Sequence, residues 1–395
     1  MSGADLKART DAPDPGCVVL IGASPFGSQA ITRLGMSYVL VCDPDEDPTP
    51  AAAGAAAVHR FAYRTDPGAV RALPRPAGVR AVVAFTELGL LPAAELAELW
   101  SVNGVPVSAV HGSRDKLQMR RLLAQSGHPL SCGRLQHVSD VDSTAYPVIV
   151  KPVSGVAGLG VHLVTNARDL RVALLATNEP LMWERYAVGQ ELSVETISQG
   201  GRHWVLGTTR KVTTGAPHFV EHAHLTPAAL TSDEERAIAE TVIDCLDAIG
   251  LSVGPAHTEV VLGTDGVTVI ETHTRPGGGR IPLITELVTG LDQYELAVRA
   301  VCGLSLPEVV SPSKSAGVRF FSGEPGVVTT VTGLDDARRL QGVVEVGLDL
   351  ARGEAIRAWE NNLDRAGFVV CEGRSHGEVE ERLDRAVSAI RLVTQ

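Results

Sequence analysis

Two glutamates lie in neighbouring strand-like stretches, HTEVV (257–261) and VTVIETHTR (267–275), separated by G-T-D-G. Side chains of a strand alternate between faces, so Val269, Glu271, His273 and Arg275 are expected on one face. A three-residue loop Thr264-Asp265-Gly266, with glycine at the left-handed position, is a favoured hairpin closure. That register sets Glu259 opposite Glu271 and His257 opposite His273. Facing carboxylates repel unless a cation lies between them. Carboxylate oxygens completed by nucleotide phosphates are the donors Mg²⁺ takes. A zinc site from the two histidines and two glutamates is one alternative, and a plain charged surface face is another. Arg275 leads into P-G-G-G-R, a glycine turn able to carry the arginine toward a ligand.

Lysine is scarce: of 35 basic residues only Lys7, Lys116, Lys151, Lys211 and Lys314 are lysines. A chain that otherwise uses arginine keeps lysine where a slim, mobile ammonium is wanted; a GC-rich genome with a few leftovers is the plain alternative. Lys116 shares the stripe of Met119 and Leu123 on a helix over 113–126, capped by Ser113 and stopped by Gly127. The first turn of a helix disfavours a cation, which an anionic partner would relieve; a snorkelling lysine is the alternative. Lys151 ends the strand YPVIVKP (146–152), and the glycine-rich SGVAGLGV (154–161) follows. No Gly-Lys-Ser/Thr follows and GVHLV reads as strand, so this is not a Walker loop. It is a flap between strands whose backbone N–H groups can close over phosphates. In MWERYAVGQELSVE (182–195) an acidic residue, a hinge-like segment, Gly189 and Glu191 would suit an adenine edge and a ribose diol. A strand with polar alternation is the plainer reading.

The elements that must hold these groups fall into blocks. After 15 residues read as disordered, strands CVVLIGAS (17–24), SYVLVCDPD (37–45), RAVVAFTE (80–87) and VPVSAV (105–110) alternate with helices, including one near 92–101. Such alternation gives a parallel sheet with helical crossovers over residues 16–112. Gly22, Gly27 and Asp43 faintly suggest a dinucleotide fingerprint, but GASPFG lacks G-x-G-x-x-G. From 146 to 275 the text alternates as strands with glycine turns around one helix at 232–249. A helix near 283–302 closes this region. The remainder holds GVRFF, GVVTTV and GFVVCEG as strands and ends in an amphipathic helix, HGEVEERLDRAVSAIRLV.

Composition excludes several classes. At 395 residues, two or three domains are expected. A net charge of -11 gives no general reason to bind nucleic acid or an anionic membrane. No apolar run approaches the ~20 residues of a membrane span, and six scattered cysteines suit a reduced, cytoplasmic setting.

Taken in order, RDKLQMRRLLAQSG, YPVIVKP with its flap, WERYAVGQE, HTEV, IETHTRPGG and RAGFVVCEG resemble the ATP-grasp superfamily, most closely its carboxylate–amine or dipeptide ligases. The resemblance implies an α/β, or α+β, ATP-grasp fold: a Rossmann-like N-terminal parallel-sheet domain (16–112), an ATP-grasp domain with antiparallel sheets (113–310, its lid about 146–186) and a small C-terminal α+β domain (311–395). It implies that Lys116, Lys151 and the flap residues Ser154, Gly155 and Gly158 contact the phosphates of ATP. Glu184 and the backbone of Arg185–Ala187 would hold adenine, and Glu191 the ribose. Glu259, Glu271 and His273 would take two Mg²⁺ ions, with Mn²⁺ as the alternative metal; His273 stands where the family usually has asparagine. Arg275, Lys151 and Lys211 would act on the transferring phosphoryl group, and Glu221, His224, Arg275 and Gly278 would meet the substrate. The implied partners are a small carboxylate and a small amine, with a homodimer as the default assembly. Biotin-carboxylase-like or purine-biosynthesis-like chemistry is the alternative within the fold. A non-catalytic nucleotide-binding protein of the same fold is another.

Overall fold

The computed structural model describes residues 16–155, 158–216, 219–309 and 312–395; the segment expected to be disordered, 1–15, lies outside them. The chain divides into two compact units, one ending at Gly104 and the other running Val105–Gln395.

In the first unit a four-stranded parallel sheet has the order Ala57–Arg60, Ser37–Cys42, Cys17–Ile21, Val79–Ala84. Val18 to Ile21 and Leu40 to Cys42 are completely buried, as expected of parallel strands covered on both faces. The strand expected over 17–24 stops at Ile21: Gly22 turns the chain at φ 89°, and the Ser24 side chain caps the helix Pro25–Arg33 by accepting from Gly27 N. Glu46 Oε1 accepts from Ala23 N at 2.9 Å, and Asp43 Oδ2 accepts from Arg64 N at 3.1 Å. The groups that a dinucleotide fingerprint would offer are thus used within the chain.

In the second unit an eight-stranded antiparallel sheet runs in the order Gly266–His273, Gly254–Gly263, Gln190–Gln199, Arg202–Thr213, Glu221–Thr226, Ser315–Phe321, Gly367–Gly373, Val343–Leu348. A four-stranded lid sheet has the order Cys132–Leu135, Leu181–Arg185, Val148–Pro152, His162–Val164. A small third sheet joins Ala355–Ile356, Gly326–Thr332 and Arg391–Thr394. The helix Ser232–Ile249 begins with a Thr231/Glu234 capping box and ends at left-handed Gly250. Its stripe Ile238, Val242, Cys245, Leu246 and Ile249 packs on Leu192, Val194, Val260 and Val269 of the large sheet. Burying each such side chain contributes about 1.5–3 kcal/mol.

Three expectations are corrected here. VPVSAV is not a strand: Pro106 leads into a helix, Val107–Arg114, that buries Ala109 and Val110. Its β-branched content suggested a strand, but tertiary burial and the preset backbone of proline favour the helix start. Lys116 then opens a separate helix, Lys116–Gln125, capped by the side chain of Asp115 and not by Ser113. Likewise the helix expected over 283–302 is two helices, Ile281–Thr289 and Gln293–Val301, broken at Gly290 (φ 73°) and restarted by the Asp292 cap.

Candidate functional site

The hairpin Gly254–Gly263/Gly266–His273 places the two glutamates opposite each other, but by another route than a regular three-residue loop. Gly263 pairs with Gly266, leaving a two-residue turn, Thr264-Asp265. A regular ladder from that turn would set Glu259 against Ile270. One extra residue, a β-bulge at Ile270, restores Glu259 to Glu271 and His257 to His273. The bulge also splits one expected face: the Val269 side chain packs in the core with Val242 and Val260, opposite the face on which Glu271 meets Glu259, although both residues border one cavity. The displaced carbonyls are put to use. Arg120 Nη1 donates to Val269 O at 2.5 Å, Arg120 Nη2 to Ile270 O at 3.0 Å, and Lys151 Nζ to Ile270 O at 3.4 Å.

That cavity, of about 890 Å³, is walled by the lid sheet and the large sheet. It brings together Lys116, Lys151, Gly155, Gly158, Glu184, Arg185, Ala187, Glu191, Lys211, Glu221, Glu259 and Glu271, all singled out from sequence. Ser154, His224, His273, Arg275 and Gly278 are not on its wall. Of the glycine loop, Val156 and Ala157 lie outside the described residues; the Gly155 carbonyl accepts from Lys116 Nζ at 3.0 Å.

Each carboxylate carries a lysine. Lys116 Nζ is 3.1 Å from Glu271 Oε2, and Lys211 Nζ is 2.6 Å from Glu259 Oε1, 2.9 Å from Glu191 and 3.0 Å from Glu221. Burial alone would raise the Glu271 carboxyl, but Lys116, then His273 and Lys151, hold it well below the usual carboxylate range. Against the same burial penalty, three carboxylates raise the Lys211 ammonium well above its ordinary value. Among the described residues no group of three or more His, Cys, Asp and Glu is arranged to hold a metal by itself. The closed zinc site of two histidines and two glutamates is therefore not formed by these residues as placed. His273 Nε2 lies 3.2 Å from Glu271 Oε1, against the carboxylate.

On the lid side, Glu184 is committed to two cations: Oε1 to Lys151 Nζ at 2.7 Å and Oε2 to Arg120 at 2.9 Å, all three side chains being nearly buried. Arg185 turns its exposed guanidinium to Asp265, at 2.9 Å; a surface pair of this kind contributes little. Gly189, where the chain passes from lid strand to large sheet, admits no side chain, since a Cβ there would sit 2.2 Å from Leu262 O. Gly189→Ala is therefore expected to lower the melting temperature and to weaken ATP binding together, read by thermal melts with and without Mg-ATP. Unchanged melts would show that the hairpin yields freely.

Beyond the cavity, Arg275 Nη1 donates to Pro276 O at 3.0 Å and Gly278 is exposed at the apex of the glycine turn. Fully buried His224 lies under this turn: a Cβ on Gly279 would be 2.8 Å from its Nε2. Its Nε2 is 3.5 Å from Glu221 Oε2, and among the described residues neither ring nitrogen has a hydrogen-bond partner. Glu221 is also gripped by Arg365 Nη2 at 2.6 Å.

Sequence reasoning missed Arg120, Glu195 and Arg365. Arg120 had a signal, standing four residues after Lys116 on the same helix face. Glu195 is completely buried, and its Oε1 accepts from His257 Nδ1. Burial would depress the His257 imidazole, but Glu195 outweighs it and raises it to about 10.

Comparison with known proteins bears on the fold. The ATP-grasp domain family matches residues 144–282, and the L-amino acid ligase C-terminal domain 2 matches residues 319–395, together more than half of the chain. An uncharacterized protein, y4rH, of Sinorhizobium fredii is 26% identical over 310 residues. That match takes in 74% of this chain and 63% of the relative, under two thirds of the relative's length. A formate-dependent phosphoribosylglycinamide formyltransferase of Geobacter metallireducens is 25% identical over 95% of this chain and 97% of its own. The crystal structure of an L-amino acid ligase from Bacillus licheniformis shares the fold, with a TM-score of 0.85 at 24% identity, over 96% of this chain and 99% of that one. The chain therefore carries an ATP-grasp domain over residues 144–282 and, at residues 319–395, a C-terminal domain of the L-amino acid ligase type.

Proposed function

We propose that this protein joins a carboxylate to an amine at the expense of ATP, with amino acids or amino-acid-like acids as the substrate class. The observation that carries the reading is Glu259 facing Glu271 on the wall of a cavity that also holds Lys116, Lys151 and Lys211. The lysine ammoniums lying on these carboxylates mark where positive charge is accommodated, and the oxygen donors are those Mg²⁺ takes. Glu259 and Glu271 would hold the metal, with His273 braced against Glu271. Bound there, magnesium would neutralise phosphate charge.

The protein's own residues do the rest by position and charge. The backbone at Arg185–Ala187 faces adenine, and Glu191 the ribose. Glu184 holds Lys151 at the strand end, where with Lys116 it meets the phosphates. A substrate carboxylate oxygen attacks the γ-phosphorus, the bond to ADP breaks, and an acyl phosphate forms. The amine nitrogen then attacks the acyl carbon, loses a proton, and phosphate leaves. Lys211 offsets charge on the transferred group, and Arg275 would join it only by leaving the Pro276 carbonyl that it now holds. Glu221 and the glycine turn at Gly278 bound the substrate end, with His224 buried beneath that turn. The cavity between the two sheets would shield the acyl phosphate from hydrolysis once nucleotide and substrates fill it.

The C-terminal match to L-amino acid ligases supports amino acids over the phosphoribosylglycinamide named for the Geobacter relative. With Mg-ATP, phosphate release is expected only when an acid and an amine from an amino-acid panel are both present, followed by a coupled phosphate assay. Substrate-independent release, or release with formate and a glycinamide ribonucleotide alone, would overturn the assignment.

A further inference from the structure

Glu195 stands between two parts of the site, the His257–Glu259 strand and the turn Pro276–Gly279. It lies on the strand Gln190–Gln199 and is completely buried. Its Oε1 accepts from His257 Nδ1, and its Oε2 accepts from the backbone N–H of Gly277 at 3.1 Å. On the far side of the ring, His257 Nε2 lies 3.3 Å from Glu259 Oε1. The packing is as tight as the hydrogen bonding: a Cβ on Gly277 would sit 2.7 Å from His257 Nδ1 and 3.0 Å from Glu195 Oε1. Gly277 therefore rests directly on the Glu195–His257 pair. Burying a carboxylate is costly unless its oxygens are fully used, and here one oxygen serves the imidazole and the other the glycine turn.

We propose that Glu195 is a positioning residue that couples the metal carboxylate Glu259 to the Pro276–Gly279 turn, so that binding of magnesium nucleotide orders the turn that meets the substrate. This rests on the ligase reading above. Two groups joined through one rigid carboxylate cannot shift independently, and an equilibrium coupling of this kind acts in both directions. Partners that orient a metal ligand from behind typically change metal affinity about 10–100-fold when removed.

Glu195→Gln keeps the shape but has one acceptor: if that oxygen stays on the Gly277 N–H, the amide N–H faces His257 Nδ1, and the ring must give up its Nδ1 proton and the charge that the carboxylate supports. Two readouts apply, both without turnover, using the full chain and the non-hydrolysable analogue AMP-PNP. Calorimetric titration of Mg²⁺ into protein with AMP-PNP is expected to show affinity lowered by about tenfold or more in Glu195→Gln. Hydrogen exchange across residues 272–281 is expected to slow on adding Mg-AMP-PNP to the wild type and to stay unchanged in the variant. Should Glu195→Gln fold poorly, Gly277→Ala gives the second arm. It touches no metal, yet its methyl would press on His257, and it is expected to weaken Mg²⁺ binding several-fold. Unaltered Mg²⁺ affinity and unaltered protection in either folded variant would overturn the coupling and leave the ligase reading standing. Failure of the wild type to bind Mg-AMP-PNP would instead remove the reading beneath it.

Discussion

Glu271→Gln is expected to lower turnover by about a hundredfold to a thousandfold while leaving the protein folded. Glutamine keeps the size of the side chain but not the charge, so the carboxylate pair facing across the hairpin loses one member. The partners of the lost charge are Lys116, 3.1 Å away, and His273, 3.2 Å away. Lys116 keeps a second acceptor, the carbonyl of Gly155, and the site opens on a cavity that water can enter. The stability cost is therefore about 1–3 kcal/mol, a shift of a few degrees in melting temperature for a chain of this size. Steady-state phosphate release and a thermal melt measure the two effects separately. Wild-type turnover in a folded variant would remove Glu271 from the metal site.

The second large effect is on stability. Glu184→Ala takes away the shared counter-charge of Arg120 and Lys151, whose side chains are only 3% and 4% exposed. Breaking a buried ion pair from one side costs about 3–5 kcal/mol, because the remaining charge is left without compensation. With two cations affected, the melting temperature should fall by roughly 10 °C. Arg120 also ties the lid strand carrying Glu184 to the carbonyls of Val269 and Ile270. The variant should accordingly bind ATP more weakly through a misplaced Lys151. Glu184→Gln, which can still accept from Lys151, should recover part of both losses. A melt of Glu184→Ala within a degree of wild type would show that the two cations find other partners.

The elements of the site were largely legible because short-range rules governed them. Alternation and the G-T-D-G turn brought Glu259 opposite Glu271, although the register is reached through a shorter turn and a bulge at Ile270. A bulge leaves no mark in a run such as Val-Thr-Val-Ile, where apolar residues suit either face, so Val269 was put on the wrong side. The stripe Lys116, Met119 and Leu123 is buried as its spacing required. VPVSAV misled because β-branched residues outweighed the proline in the reading, while packing of Ala109 and Val110 decided the fold. Glu195 and Arg120 were out of reach for a different reason. Their partners lie 62 and 149 residues away, so only the assembled sheet makes them neighbours. Arg365 reaches Glu221 across 144 residues in the same way.

The central claim, an acyl phosphate formed from a substrate carboxylate, has a direct isotopic test. The protein would be incubated with Mg-ATP and amino acids whose carboxyl oxygens are oxygen-18, and the released phosphate analysed by mass spectrometry together with the amide product. The mechanism moves one carboxylate oxygen onto the γ-phosphorus and leaves it there when the amine displaces phosphate. Phosphate carrying a single oxygen-18, in step with peptide formed, is the predicted result. Unlabelled phosphate alongside product, or AMP and pyrophosphate in place of ADP and phosphate, would contradict it.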